Sequence, residues 1–246
     1  PKKQTLFFSA TMPPEITRLT KQFLNNPVRI EVARPATTNA NITQLLVKVP
    51  TSDPKAKRLA LRALIEKAGI ETGIVFCNRK TEVDIVAKSL STHGFNAAAI
   101  HGDLPQAYRT QTLDRFRDGD LQLLVASDVA ARGLDVPDVS HVFNYSPPPK
   151  DEDYVHRIGR TGRAGRTGEA ILFVAPRERR MLKAIERATK QEITPMQLPT
   201  REAIANRRAE QFLQTLSETL ESQELNFYKE LLTHYLEQHD VDIVDI

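Results

Sequence analysis

The chain has 246 residues, 40% of them hydrophobic and 26% charged, a balance that suits a folded globular protein and excludes a charge-dominated disordered one. Its single cysteine, Cys77, excludes a disulfide within the chain and fits a reducing compartment, the cytoplasm. No apolar run approaches the roughly eighteen residues that span a bilayer, and no signal-peptide pattern opens the chain, so no membrane partner is expected.

The formal net charge of +3 hides an asymmetry. From Arg201 onward four basic residues stand against ten acidic ones, a local balance of −6, which leaves +9 on the first 200 residues. A basic body suits a polyanionic partner and an acidic tail does not, so the two parts are expected to do different jobs. The first residue is Pro1, not Met, as expected of a piece of something longer.

Gln4–Phe8 reads as a short buried strand running into Ser9-Ala10-Thr11. Pro13-Pro14 then opens a helix to about Leu24, since proline in a first turn gives up only an N–H that would be unpaired there. Val28–Val32, apolar at 28, 30 and 32, reads as another strand. Arg34–Asn41 is polar, carries Pro35 and has no apolar period, so it reads as a linker. Beyond it, strands near 45–49, 73–77, 96–100, 121–126, 140–144 and 169–174 alternate with helices near 55–68, 80–92, 105–117, 151–158 and 177–190. Residues 73–77 and 121–126 are almost continuously apolar, as in strands covered on both faces. The alternation predicts an α/β domain with a parallel sheet flanked by helices, its ligands lying beyond the carboxyl ends of the strands.

Polar residues that can hold phosphate gather just after those strands. Asn78, Arg79 and Lys80 stand at a helix N-terminus, where backbone N–H groups attract anions, although a plain surface cap is an equal reading. His101-Gly102-Asp103 follows the next strand, with Gln106 and Arg109 on the helix after it. Ser127–Asp135 (SDVAARGLD) follows the fourth strand of this series, and Asp135 before Val136-Pro137 alternatively closes a turn. Tyr154–Gly165 (YVHRIGRTGRAG) sets Arg157, Arg160 and Arg163 three residues apart behind His156. On a helix that spacing keeps the guanidiniums within about a third of the circumference, and their planar forks suit phosphate oxygens. A lone basic row is ordinarily a solvated face.

The company of these motifs changes that reading. Ser9–Thr11, His101–Asp103, Gln106–Arg109, Ser127–Asp135 and Tyr154–Gly165, in this order, closely resemble motifs III to VI of the DEAD-box RNA helicases. The resemblance implies a fold of RecA-like type, with 1–33 as the terminal piece of a first RecA-like domain, 34–41 as the linker and 42–195 as the second domain. It implies that Arg160 and Arg163 reach the γ-phosphate of ATP as arginine fingers, with His156 and Arg157 supporting the domain interface. Asp135 would take the ribose of ATP, a chemically sensible match because a carboxylate accepts from both hydroxyls. Asn78, Arg79, Gly102, Asp103, Arg109, Ser127 and Gly133 would bind RNA, and Ser9 and Thr11 would couple the domains, although both also suit a turn cap. Ser127 stands where most members have threonine. The chain contains no GxxxxGK[ST] phosphate loop, no Asp-Glu-Ala-Asp box and no Q motif, so ligands for the Mg²⁺ of ATP are expected in the first domain and none is assigned here. The chain by itself is then expected to bind RNA without turning over ATP. A DNA translocase of the same superfamily is the alternative reading.

Pro176–Lys190 reads as an amphipathic helix with Leu182, Ile185 and Ala188 inward, and Pro195–Pro199 as a connector. From Arg201 on the pattern turns helical without strands, within an extension spanning 196–246, with a break near Ser222–Glu224 and apolar positions that include Phe212, Leu213, Leu216, Leu231 and Leu232. This part resembles the helical extension of the bacterial cold-shock DEAD-box helicases, which implies a homodimer through about 201–246. A helical lid packed on its own domain is the other reading.

Overall fold

The structure, a computed structural model, describes residues 3–9, 12, 14–30, 41–68, 70, 72–131, 136, 138–199, 201–221 and 234–235. The chain forms two compact units, Pro1–Ala36 and Thr37–Ile246.

In the first unit, helix α1 spans Pro14–Phe23 as the proline and the apolar spacing require. The two flanking strands are absent among the described residues. Residues 3–9 and 27–30 are not strand, and Leu6, Phe8, Val28 and Ile30 stand 69%, 88%, 87% and 85% exposed. Alternating apolar residues describe a strand's faces, but its backbone hydrogen bonds come only from a neighbour. Among the described residues neither segment has one. Of the expected linker, only Asn41 lies within the described residues.

The second unit is built on a seven-stranded parallel sheet. In chain order it comprises β1 (Ile42–Lys48), α2 (Pro54–Ala68), β2 (Gly73–Cys77), α3 (Lys80–Thr92), β3 (Ala97–Ile100), α4 (Gln106–Arg117), β4 (Leu123–Ser127), the single turn α5 (Asp128–Ala131), β5 (His141–Asn144), α6 (Asp151–Ile158), β6 (Gly168–Val174), α7 (Arg179–Thr189), β7 (Thr194–Pro195) and α8 (Arg201–Glu221). The strands lie in the order β3-β4-β2-β5-β6-β1-β7.

Alternation along each strand sorts the core into two faces. Val75, Cys77, Val125, Phe143 and Phe173 pack with Leu61 and Leu64 of α2 and Val83, Val86 and Leu90 of α3. Their neighbours Ile74, Phe76, Leu124 and Val142 meet Leu113 and Phe116 of α4 on the other face. That same face continues where Leu46, Ala170 and Leu172 meet Tyr154 and Ile158 of α6 and Ile185 of α7. Strands covered on both sides need the near-continuous apolar runs seen in the sequence.

Two elements were not legible in advance. α5 is one turn directly after β4, too short to show a period. β7 runs into the start of the expected connector, sharing Pro195 with it, and there Met196 donates its N–H to the Leu46 carbonyl at 2.9 Å while Met196 and Leu198 pack on the core. A proline tolerates that place because the sheet ends there and needs no further N–H. In α7, Ala188 is exposed, not inward. α8 touches α2, while Phe212 and Leu213 stand 65% and 62% exposed. The expected break at 222–224 and the second helix lie outside the described residues, apart from helical His234 and Tyr235.

Candidate nucleic-acid interface

β2 and β5 are neighbours whose following helices leave to opposite faces, α3 to one and α6 to the other. Such a divergence opens a crevice at the carboxyl ends of the two strands. Here the chain's own Arg157 fills it. Its Nε donates to Asp128 Oδ1 and its Nη2 to Asp128 Oδ2, both at 2.6 Å, a two-pronged charge-assisted pair. Nη2 also donates to Asn78 Oδ1 at 2.8 Å, and Nη1 to the Ser146 carbonyl at 2.7 Å and to Asn144 Oδ1 at 3.4 Å. The guanidinium lies 5.3 Å from the Phe76 ring centre, and Arg157 is 1% exposed. So enclosed, it touches no ligand, and the role open to it is to position the loops after β2, β4 and β5. Asn78 is drawn into the same network: its amide donates to the Pro147 carbonyl at 2.8 Å.

The arginine row does not share a helix. α6 ends at Ile158, and Gly159 caps it. Arg160 and Thr161 turn their N–H groups back to the Arg157 and Ile158 carbonyls at 3.1 Å, after which Gly162, Ala164 and Gly165 all take positive φ (69°, 52° and 80°). Glycine at two of those three positions removes the Cβ penalty that otherwise stops a chain from turning left-handed. The loop is stapled to the segment before β5. Val139 N–H donates to the Arg160 carbonyl at 3.1 Å, Arg163 N–H to Asp138 Oδ1 at 3.1 Å, and Thr161 Oγ1 to the Val139 carbonyl. Gly168 must be glycine, because a Cβ there would come within 1.9 Å of Thr161 Oγ1.

Arg163 is exposed and donates Nε to the Gly159 carbonyl at 2.6 Å. Arg160 is half-buried, and no described carboxylate pairs with it. Burial, and then the nearby Arg163, pushes its pKa down. A cation held out of water beside another cation gains when an anion arrives. His156 is exposed on α6, and Ser127, the last residue of β4, is half-buried.

A second cluster holds the turn after β3. Lys80 and Asp84, one helical turn apart on α3, each grip one residue of His101–Asp103. Lys80 pairs with Asp103, and Asp84 Oδ1 sits 2.9 Å from His101 Nε2. The Lys80 ammonium holds the Asp103 carboxyl below its usual range. His101 is buried, while Gly102 and Asp103 are exposed. A Cβ on Gly102 would meet nothing within 4 Å, so the turn's own packing leaves free space in front of it. Arg109 donates to Gln106 Oε1 at 2.9 Å, and its buried Nε has no partner. Arg79 is exposed at the start of α3.

The structure therefore gathers Asn78, Arg79, Gly102, Asp103, Arg109 and Ser127 along one carboxyl edge, with Arg160 and Arg163 on the loop beside β5. It adds Asp84, Asn144 and Ser146, which belong to none of the motifs read in the sequence, and gives Lys80, expected at an anion-attracting helix N-terminus, a carboxylate partner instead. The i,i+4 spacing of Lys80 and Asp84 was available as a signal, but their partners are 23 and 17 residues away. Thr11, Gly133 and Asp135 lie outside the described residues; Ser9 is exposed.

Comparison with known proteins is decisive at this point. Residues 56–165 match the model of the helicase conserved C-terminal domain, and 199–246 that of the RNA helicase DeaD dimerization domain. The chain is 44% identical over 244 residues to the ATP-dependent RNA helicase DeaD of Mycobacterium tuberculosis, a match covering 99% of this chain and 42% of that protein. It is 42% identical to the DEAD-box ATP-dependent RNA helicase CshA of Bacillus subtilis, over 96% of this chain and 47% of the relative. Among solved structures, E. coli DEAD-box protein SrmB bound to regulator of ribonuclease activity A matches at 34% identity and TM-score 0.60, over 65% of this chain and 98% of that one.

The chain belongs to the DEAD-box RNA helicase family. Its sheet and flanking helices are those of the family's C-terminal RecA-like domain. S. cerevisiae Dbp5 bound to RNA and ADP BeF3 superposes with a TM-score of 0.68 at 31% identity, over 82% of this chain and 53% of that one. The chain spans less than half the length of the two curated DEAD-box relatives, DeaD and CshA. No described helix is long and apolar enough to cross a membrane.

Proposed function

We propose that this chain is the C-terminal half of a cytoplasmic ATP-dependent RNA helicase, gripping RNA phosphates along the carboxyl edge of its sheet and supplying Arg160 and Arg163 to ATP hydrolysis. One observation carries the reading. Arg160 is a half-buried guanidinium without a carboxylate partner among the described residues, in a loop otherwise fixed by hydrogen bonds. Phosphoryl transfer spreads negative charge over the equatorial oxygens, and a fixed cation stabilises that charge without reorganising. Asp135 takes the ribose. Ser9, Thr11 and His156 link this half to a first RecA-like domain, and Arg157 holds the loops that do the work.

Among the described residues no group of three or more His, Cys, Asp or Glu gathers to hold a metal. The Mg²⁺ that accompanies ATP is assigned to the first RecA-like domain, with 1–33 as that domain's last piece and 34–41 as the linker.

On the RNA side, Gly102 leaves free space at the His101–Asp103 turn, and Asn78, Arg79, Asp103, Arg109 and Ser127 share that carboxyl edge with it, with Gly133 assigned to the same RNA-binding role from its motif. Contacts of this kind read backbone and not bases, so binding shows little sequence preference and a marked salt dependence. A strand held so while the two domains close is bent away from its complement.

Arg160→Ala or Arg163→Ala in the intact protein is expected to lower ATP turnover by roughly 10³–10⁵ and to spare most RNA binding. Unchanged turnover rules that residue out as a finger. The exposed Phe212 and Leu213 on α8 support homodimerisation through 201–246. Light scattering is expected to find a dimer, and a monomer once 201–246 is removed; a dimer that survives the deletion overturns the assignment. Because the chain lacks a phosphate loop, a purified form of it is expected to bind RNA without hydrolysing ATP.

A further inference from the structure

α7, its capping residue Lys190 and the single 3-10 turn Pro176–Glu178 before it carry six cations, Arg177, Arg179, Arg180, Lys183, Arg187 and Lys190, all exposed. Only two acids interrupt them, and both point inward. Glu178 accepts from Lys57 Nζ at 2.9 Å and from the Ala175 N–H at 2.8 Å, while Glu186 accepts from the Ile193 N–H at 3.3 Å. None of the six cations makes an ion pair or side-chain hydrogen bond among the described residues. That includes the three acids opening α6, the helix packed beside α7, and Glu192 just past its end.

Elsewhere the same unit pairs some of its exposed cations, as Lys80–Asp103, Arg117–Asp114 and Arg166–Asp138. On α7, Arg179, Lys183 and Arg187 follow at i, i+4 and i+8, so each step rises about 6 Å and turns only about 40°, giving one stripe about 12 Å long. Like charges at i,i+4 destabilise a helix. The stripe is thus a cost to the isolated fold, and only a polyanion laid along it relieves every member at once.

Its position identifies the polyanion. Arg177 follows the end of β6, on the same carboxyl edge as the turns after β2, β3 and β4. Parallel strands stand about 4.8 Å apart, so four strand steps put the ends of β3 and β6 about 19 Å apart on one edge. We infer that the α7 face is a second RNA-backbone site, one that takes up the part of a long RNA running beyond the motif residues. The inference rests on the RNA reading proposed above.

The test compares the wild-type 246-residue chain with R179Q/K183Q/R187Q, using fluorescently labelled single-stranded RNAs of roughly 6 and roughly 24 nucleotides over a range of salt. Each phosphate contact to a single strand contributes about 0.7 to the slope of log K against log salt. Losing three is expected to flatten the slope for the long RNA by about 2 and to weaken its binding about tenfold at low salt, with the short RNA unchanged. Lys183→Gln alone is expected to give the same signature at a smaller size. A wild type that binds both RNAs, with variants that bind them identically, overturns this inference alone. Equal losses on both lengths also overturn it, since the face would then not extend a track. Polyglutamate displacing the long RNA from this face as well as unlabelled RNA does would reassign it to an acidic protein. A wild type that binds neither RNA overturns the RNA reading and this one together.

Discussion

Arg157 and Arg160 are three residues apart in one motif and live in opposite surroundings. Around Arg157 the fold supplies a carboxylate, two amides, a carbonyl and an aromatic face. Around Arg160 the backbone is as firmly stapled, yet the guanidinium has no described carboxylate and a second cation close by. The difference teaches how to divide a basic motif: a cation satisfied inside the chain organises structure, and one held rigid but unsatisfied waits for an anion.

The comparison is broken most directly by removing the satisfied member. Arg157→Ala leaves Asp128 largely buried without its counter-ion and is expected to destabilise the domain by about 3 kcal/mol, at the low end for a broken buried pair because Asp128 keeps some contact with water. Arg157→Lys restores charge but not the fork, so most of the loss persists. Arg160→Ala, by contrast, is expected to leave the denaturant midpoint of the same domain nearly unmoved. Equal midpoints for the two alanine variants would erase the distinction.

A smaller effect sharpens the same contrast at the turn after β3. Asp84→Ala strips buried His101 of its one side-chain partner among the described residues and is expected to cost about 1–2 kcal/mol and to speed amide exchange at Gly102 and Asp103. Asp84→Asn keeps an acceptor for the imidazole N–H and is expected to recover most of the protection. Unchanged exchange in the alanine variant would show that the turn stands without its clamp.

The smallest effect concerns pH. Burial lowers the His141 pKa below 6.5, against a weaker opposing pull from Glu169. The unfolded chain therefore takes up this proton first as pH falls, so the contribution is fully present above about pH 6.5 and is lost below it. His141→Gln is expected to flatten the urea midpoint between pH 7 and pH 5 relative to wild type. An equal slope in both proteins would assign the acid sensitivity elsewhere.

Much of the second unit was legible before the fold was known. The strands expected near 73–77 and 169–174 and the helix expected near 80–92 lie within a few residues of their observed bounds. What misled was local pattern without its partner. Leu6, Phe8, Val28 and Ile30 alternate as strand residues do, yet among the described residues their segments form no strand and these side chains stand exposed. The arginine row has helical spacing, yet Gly159 ends the helix after its first member.

The sequence by itself determined the order of strands and helices, the parallel sheet and the placing of phosphate-type residues after strand ends, because those follow from side-chain periods and turn residues read a few positions at a time. Only the tertiary structure decided which arginine is enclosed and which is free, and that Lys80 and Asp84 hold the turn at His101. Those choices depend on partners 11 to 79 residues away. The strand order β3-β4-β2-β5 brings such partners together, and no local pattern along the chain encodes that meeting.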